Sequence, residues 1–132
     1  MWQELALQTK SRVQFVDVSD LVEQEIKKCG VQEGFFYLFV PHTTAGITIN
    51  ENADPDVIRD LTVSLERLVP RNGDYQHGEG NSDAHLKASL MGFSCMVPIR
   101  QGHLDVGTWQ GIYFCEFDGP RQRRVKFNVV SD

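Results

Sequence analysis

The chain has 132 residues, enough for one domain with a hydrophobic core and too few for two. Apolar residues make up 41% and charged residues 23%, an ordinary globular balance that excludes global disorder. The net charge of −5 argues against a nucleic-acid or acidic-membrane binder working through bulk electrostatics.

The opening "WQELALQT" alternates Trp2, Glu4 and Ala6 against Gln3, Leu5 and Leu7, which predicts a strand with two usable faces. "VQFVDV" (13–18) predicts a second strand. "SDLVEQEIKKCG" predicts a helix capped by Ser19 or Asp20, with Leu21, Val22 and Ile26 on one stripe and Gly30 at its end. "FFYLFV" (35–40) is continuously apolar and predicts a strand buried on both faces, with Pro41 as its terminator. "GITINE" (46–51) is the next strand. In "DPDVIRDLTVSLERLVP", Asp54 is the N-cap, Pro55 suits the first helical position, and Val57, Ile58, Leu61, Leu65 and Leu68 keep a helical period up to Pro70. "SDAHLKASLMG" predicts a short helix capped by Asn81 or Ser82 and closed by Gly92. The rest reads as strands: "FSCMVPIR", a turn near Gly102, a strand around Leu104, "GIYFCEF" and "RVKFNVV". Strands gathered late with two or three helices inserted earlier predict a mostly antiparallel α+β fold in a single domain, residues 1–132.

No apolar run approaches the ~18–20 residues of a membrane span. "MWQELALQTK" shows no basic segment followed by an apolar block, so no signal peptide is expected. Cys29, Cys95 and Cys115 are odd in number, far apart and without C-x-x-C spacing. They read as half-buried thiols of core strands in a reducing, cytoplasmic setting, not as a disulfide framework or a nucleophile.

The chemistry concentrates in "DYQHGEGNSDAH" (74–85). His77 lies in a glycine-rich loop and His85 in the first turn of a helix; Gly78 and Gly80 let the loop fold back so that both rings reach one ion. His42 follows a strand end, where side chains point into clefts. Three histidines with one open position suit a catalytic zinc site. The spacing alone favours unrelated surface histidines over a shared site, since it is no H-E-x-x-H signature. His103, after Gly102, is expected in solvent. Asp74, Glu79 and Asp83 raise each other's proton affinity unless a cation offsets them, which suits a nearby ion or partners that orient its ligands. Solvated carboxylates and a helix cap are the plain alternative. Thr43, Thr44, Asn81, Ser82 and Arg121 are candidate anion contacts. Trp109, in "GTWQG", could stack on a flat ring or sit partly buried in the core.

Four blocks, "HTTAGITINEN", "DYQHGEGNSDAHLKASLMG", "SCMVPIRQGHLDVGTWQGI" and "EFDGPRQRRV", occur in this order over residues 42–125. In this the chain resembles the YjbQ-like proteins, whose signature is matched by Ser94, Val97, Ile99, Gly102, Gly107, Thr108, Trp109, Gln110 and Ile112. One departure is Gly78, where an Asn after the loop histidine is expected. The resemblance implies an α+β fold built on a β-sandwich, a homotrimer, and a metal site of three histidines corresponding to His42, His77 and His85. It also implies a secondary thiamine-phosphate synthase activity, which joins hydroxymethylpyrimidine diphosphate to a thiazole phosphate and releases pyrophosphate. The resulting expectation is an enzyme that uses a divalent ion, most plausibly zinc, on a small phosphorylated substrate. Asp74 or Glu79 would transfer the proton, Asp83 would orient ligands, and Thr43, Thr44, Asn81, Ser82, Trp109 and Arg121 would hold the substrate. No nucleic-acid or membrane partner is expected. The alternative is a metal- or small-ligand-binding module without turnover.

Overall fold

A computed structural model describes all 132 residues. Eight strands and three helices follow in the order β1 (Gln3–Gln8), β2 (Gln14–Asp17), α1 (Ser19–Cys29), β3 (Glu33–Phe39), β4 (Ala45–Glu51), α2 (Pro55–Leu68), α3 (Ser82–Met91), β5 (Ser94–Arg100), β6 (His103–Leu104), β7 (Gln110–Glu116) and β8 (Gln122–Ser131). The strands form a five-stranded sheet ordered β1-β8-β3-β5-β6 and a three-stranded sheet ordered β2-β7-β4. Every ladder is antiparallel. The α+β reading and the number of helices therefore hold.

The two sheets meet face to face. Phe36, Leu38, Val97, Val125 and Phe127 of the larger sheet pack against Ile47, Ile112 and Phe114 of the smaller, and Val22 and Ile26 of α1 close the same core. The rings of Phe36 and Phe127 stack at 5.0 Å. The other face of the small sheet is covered by helices: Tyr113, Cys115 and Phe117 meet Leu65 of α2 and Ala84 and Ala88 of α3.

Local side-chain chemistry sets the start of α2 but not that of α1. Asp54 caps α2 by accepting the Asp56 N–H, with Pro55 at the first position. Helix α1, by contrast, is capped by neither Ser19 nor Asp20. Asp17 accepts the Ser19 N–H, while the Ser19 hydroxyl accepts the N–H of Ile112 and so ties the helix start to β7.

Strand β3 is not buried on both faces. Phe36 and Leu38 point into the sandwich, but Tyr37 is 39% and Phe39 42% exposed on the outer face. There Tyr37 lies opposite Met96, and Trp2 and Phe35 meet its ring edge to face. The continuous apolar run thus serves a core on one side and an uncovered aromatic surface on the other. The cysteines also divide differently from expectation: Cys29 ends α1 and is exposed, and only Cys95 and Cys115 lie in strands. Burial pushes the Cys95 thiol up to about 11, and that of Cys115 further, so neither is a thiolate at neutral pH.

Helix α3 can approach β4 because Gly46 lacks a side chain. A Cβ there would lie 2.8 Å from the Gly92 carbonyl and 3.0 Å from Met91 Cβ, while Ile47 donates its N–H to that same carbonyl. A Gly46→Ala substitution should therefore push α3 off the sheet and destabilise the protein by about 1–3 kcal/mol in denaturant unfolding.

Candidate functional site

The candidate residues fall into two clefts. The first, of about 550 Å³, is lined by Phe39, Val40, Pro41, His42, Thr43, Thr44, Phe93, Arg121 and Arg123. The second, of about 410 Å³, is lined by Asp74, Tyr75, Gln76, His77, Ser82, His85 and Leu86. His77 and His85 come together as expected: their rings stand 5.3 Å apart and nearly perpendicular. Glu79 reaches toward them, with Oε2 3.8 Å from His77 Nε2. His42 belongs to the other cleft. Nowhere in one chain do three His, Cys, Asp or Glu side chains converge closely enough to hold an ion. The fit to a metal is thus that of a pair, two imidazoles with a carboxylate nearby, and His42 is not brought to it within the chain.

Helix α3 supplies His85, and charges beneath it hold it in place. Asp83 is fully buried and takes both ends of the Arg12 guanidinium, each at 3.1 Å. Lys87, one turn on and also buried, lies 3.4 Å from Asp83 and 2.6 Å from Glu66 of α2. Burial alone would raise the proton affinity of Asp83; the Arg12 bonds and charge, with Lys87 behind them, outweigh it and hold the carboxyl below its usual range. Asp83 is therefore engaged by Arg12 and Lys87 and is not a solvated cap. Asn81 does not cap α3 with its side chain either; its amide donates to Asp118 at 2.9 Å. Asp74 and Ser82 line the histidine cleft.

The His42 cleft has its own buried pair. Glu116 accepts Arg123 Nε at 2.9 and 3.1 Å and the Thr9 hydroxyl at 2.8 Å. Arg123 also donates to the Thr44 hydroxyl at 2.8 Å, which commits Thr44 to structure and leaves Thr43 exposed on the cleft wall. Arg121 is held by Asp118 through Nε and Nη2. Trp109 lies in neither cleft and is 63% exposed, so it is not the partly buried core residue that was the plain alternative. His103 is exposed, with Nδ1 2.6 Å from Glu23.

Sequence reasoning missed Arg12, Glu66, Lys87, Thr9, Glu116 and Arg123 as a supporting frame. Two signals were available: Asp83 and Lys87 are spaced i, i+4 and each is followed by an alanine, and Glu116 is a lone carboxylate in an apolar strand.

Glu116 is held below the carboxylate range: burial opposes this, and the Arg123 and Thr9 bonds overcome it. A carboxyl depressed in the fold contributes stability above its unfolded value, near about 4, and loses it as pH falls through the lower folded value. The Glu116 contribution to stability should accordingly be level from pH 7 to about 4 and drop below that. Asp83→Asn should cost about 3–5 kcal/mol at neutral pH by leaving Arg12 and Lys87 short of a partner. It should also flatten the acid limb, as read by denaturant titrations at each pH.

Comparison with known proteins bears on the whole chain. A family model described as UPF0047 protein YjbQ-like matches residues 3–132. A UPF0047 protein of Methanocaldococcus jannaschii is 47% identical over 126 residues, 96% of this chain and 91% of that protein. The UPF0047 protein YugU of Bacillus subtilis is 46% identical over 132 residues, 99% of this chain and 100% of that protein. Among solved structures, an uncharacterized conserved protein of the YjbQ/UPF0047 family from Clostridium acetobutylicum superposes with a TM-score of 0.94 at 55% identity, covering 97% of this chain and 99% of that one. A YbjQ-like protein of unknown function from Sulfolobus solfataricus gives 0.93 at 30% identity, covering 100% and 97%.

Proposed function

The chain belongs to the YjbQ-like UPF0047 family, and from that premise we propose that it is a metal-dependent enzyme acting on a small phosphorylated substrate. The observation that carries this reading is the His77–His85 pair, two perpendicular rings 5.3 Å apart on the wall of one cleft. Imidazole donors suit zinc among the available divalent ions. When bound, the ion supplies Lewis acidity toward phosphate oxygens. His85 is the rigid member, because the Arg12–Asp83–Lys87–Glu66 network fixes its helix. Asp74, on the same wall, is the carboxylate placed to move a proton, and Ser82 offers a hydroxyl to the substrate. Glu79, beside His77, orients that ring or adds a charge to the donor set. The thiamine-phosphate synthase reaction belongs to this class, since both reactants and the leaving pyrophosphate are phosphate-bearing and need their charge offset.

The homotrimer is part of the same proposal. The outer face of the larger sheet exposes Trp2, Tyr37 and Phe39 around a hollow of about 570 Å³ that Ser94 and Lys126 also line, with exposed Met96 opposite Tyr37, a largely apolar surface of the kind that marks an interface. A ring of three copies closes without leaving such a face open.

Elemental analysis of purified protein should find zinc or another divalent ion, and His77→Ala and His85→Ala should each lose it together with turnover of phosphorylated heterocycles. Protein with only traces of metal, and variants that keep full activity, would sink the reading. Light scattering should give three times the 15.0 kDa chain mass, with Tyr37→Asp or Met96→Asp shifting it to one; a monomeric wild type at micromolar concentration counts against the assembly.

A further inference from the structure

His42, the third histidine that the family resemblance assigns to the metal, is held in a form that does not suit a ligand. Its Nε2 accepts the backbone N–H of Arg124 at 3.1 Å. A neutral imidazole has one acceptor nitrogen and one N–H, so this bond puts the proton on Nδ1. An ion on Nδ1 would move that proton to Nε2, against the Arg124 N–H, and an ion on Nε2 would displace the bond altogether. The free nitrogen of His42 is therefore a fixed donor.

Two further donors share its cleft. Arg121 gives Nε and Nη2 to Asp118, which leaves Nη1 without a partner in the chain. Thr43 is exposed on the same wall, and its hydroxyl is engaged by no other group. No carboxylate lines the cleft, and those paired with its two arginines are committed: Glu116 to Arg123 and Thr9, Asp118 to Arg121 and Asn81. Phe39 and Phe93 add half-exposed aromatic walls. Neutral and cationic donors without a free acceptor beside them are the chemistry of an oxyanion site.

We propose that this cleft binds the phosphate group of a small substrate, with His42 donating through Nδ1 alongside Thr43 and Arg121, and the apolar part of the substrate against Phe39 and Phe93. The inference rests on the reading of a phosphorylated substrate but assigns His42 to the anion, not to the ion. Substrate phosphate and metal pair are then held by different clefts of the chain.

Two measurements on the full-length protein test it. Inorganic phosphate is titrated by calorimetry or amide chemical shifts with chelator present, so that a bound ion does not contribute; zinc is measured separately by elemental analysis after saturation. His42→Ala and Arg121→Ala should each weaken phosphate binding by about tenfold. His42→Asn, whose amide N–H replaces the Nδ1–H donor, should regain most of it. Zinc content should be unchanged in both His42 variants and lost in His77→Ala. The proposal is overturned if phosphate binds equally to wild type and His42→Ala, or if both His42 variants lose zinc as His77→Ala does. A phosphate effect in protein that takes no zinc at all would support the anion site and remove the metal reading, so the two fail separately.

Discussion

Ile112, Phe114 and Glu116 point toward the larger sheet, and Tyr113, Cys115 and Phe117 point toward the helices, so β7 has no face left for solvent. Most of the architecture answers that double burial. The larger sheet covers one side with an apolar layer, as in any sandwich. The other side is covered by α2 and α3, and α3 is poor in large apolar residues on its inner surface, where it offers Ala84 and Ala88. Such a helix gains little from hydrophobic burial and is secured instead by charge, through Arg12, Asp83, Lys87 and Glu66.

That choice has a consequence for chemistry. Buried ion pairs are weak as net stabilisers but strict about geometry, because each partner needs the other in place. Arg12 (two residues before β2), helix α2 and helix α3 are thereby registered to one another. His85 inherits that register, and so does the cleft it lines. The Glu116–Arg123 pair performs the same service at the other cleft, where it sits directly behind Thr44 and supplies part of the field felt by His42. Each cleft is thus backed by its own buried charge pair.

The elements were largely legible in the sequence because their signals are local. Asp54-Pro55 with the apolar period behind it defines α2, and the alternation and turn residues define the late strands. What was illegible depends on partners distant in the chain. "FFYLFV" is apolar at every position, and no local rule separates a residue packed in the sandwich from one on an open sheet face. Asp83 looked like one carboxylate among three in a polar stretch; its partner Arg12 lies 71 positions away. His42 and the His77–His85 pair share a residue type, and nothing in their spacing reveals that the chain sends them to separate clefts. The pairing of His77 with His85 was accessible, since two flexible glycines and a helix start bring them within reach.

The segment between α2 and α3 is anchored at its base and loose at its tip. Tyr75 donates its hydroxyl to the Pro70 carbonyl, and Glu66 receives the Arg71 N–H while its other oxygen holds Lys87. Beyond that base, added side chains at Gly78 and Gly80 would meet nothing within 4 Å. Space alone would thus admit a side chain at Gly78 without disturbing the helix that carries His85, whereas Gly80, at φ +78°, is held to glycine by its backbone and Glu79 is held by its place beside His77.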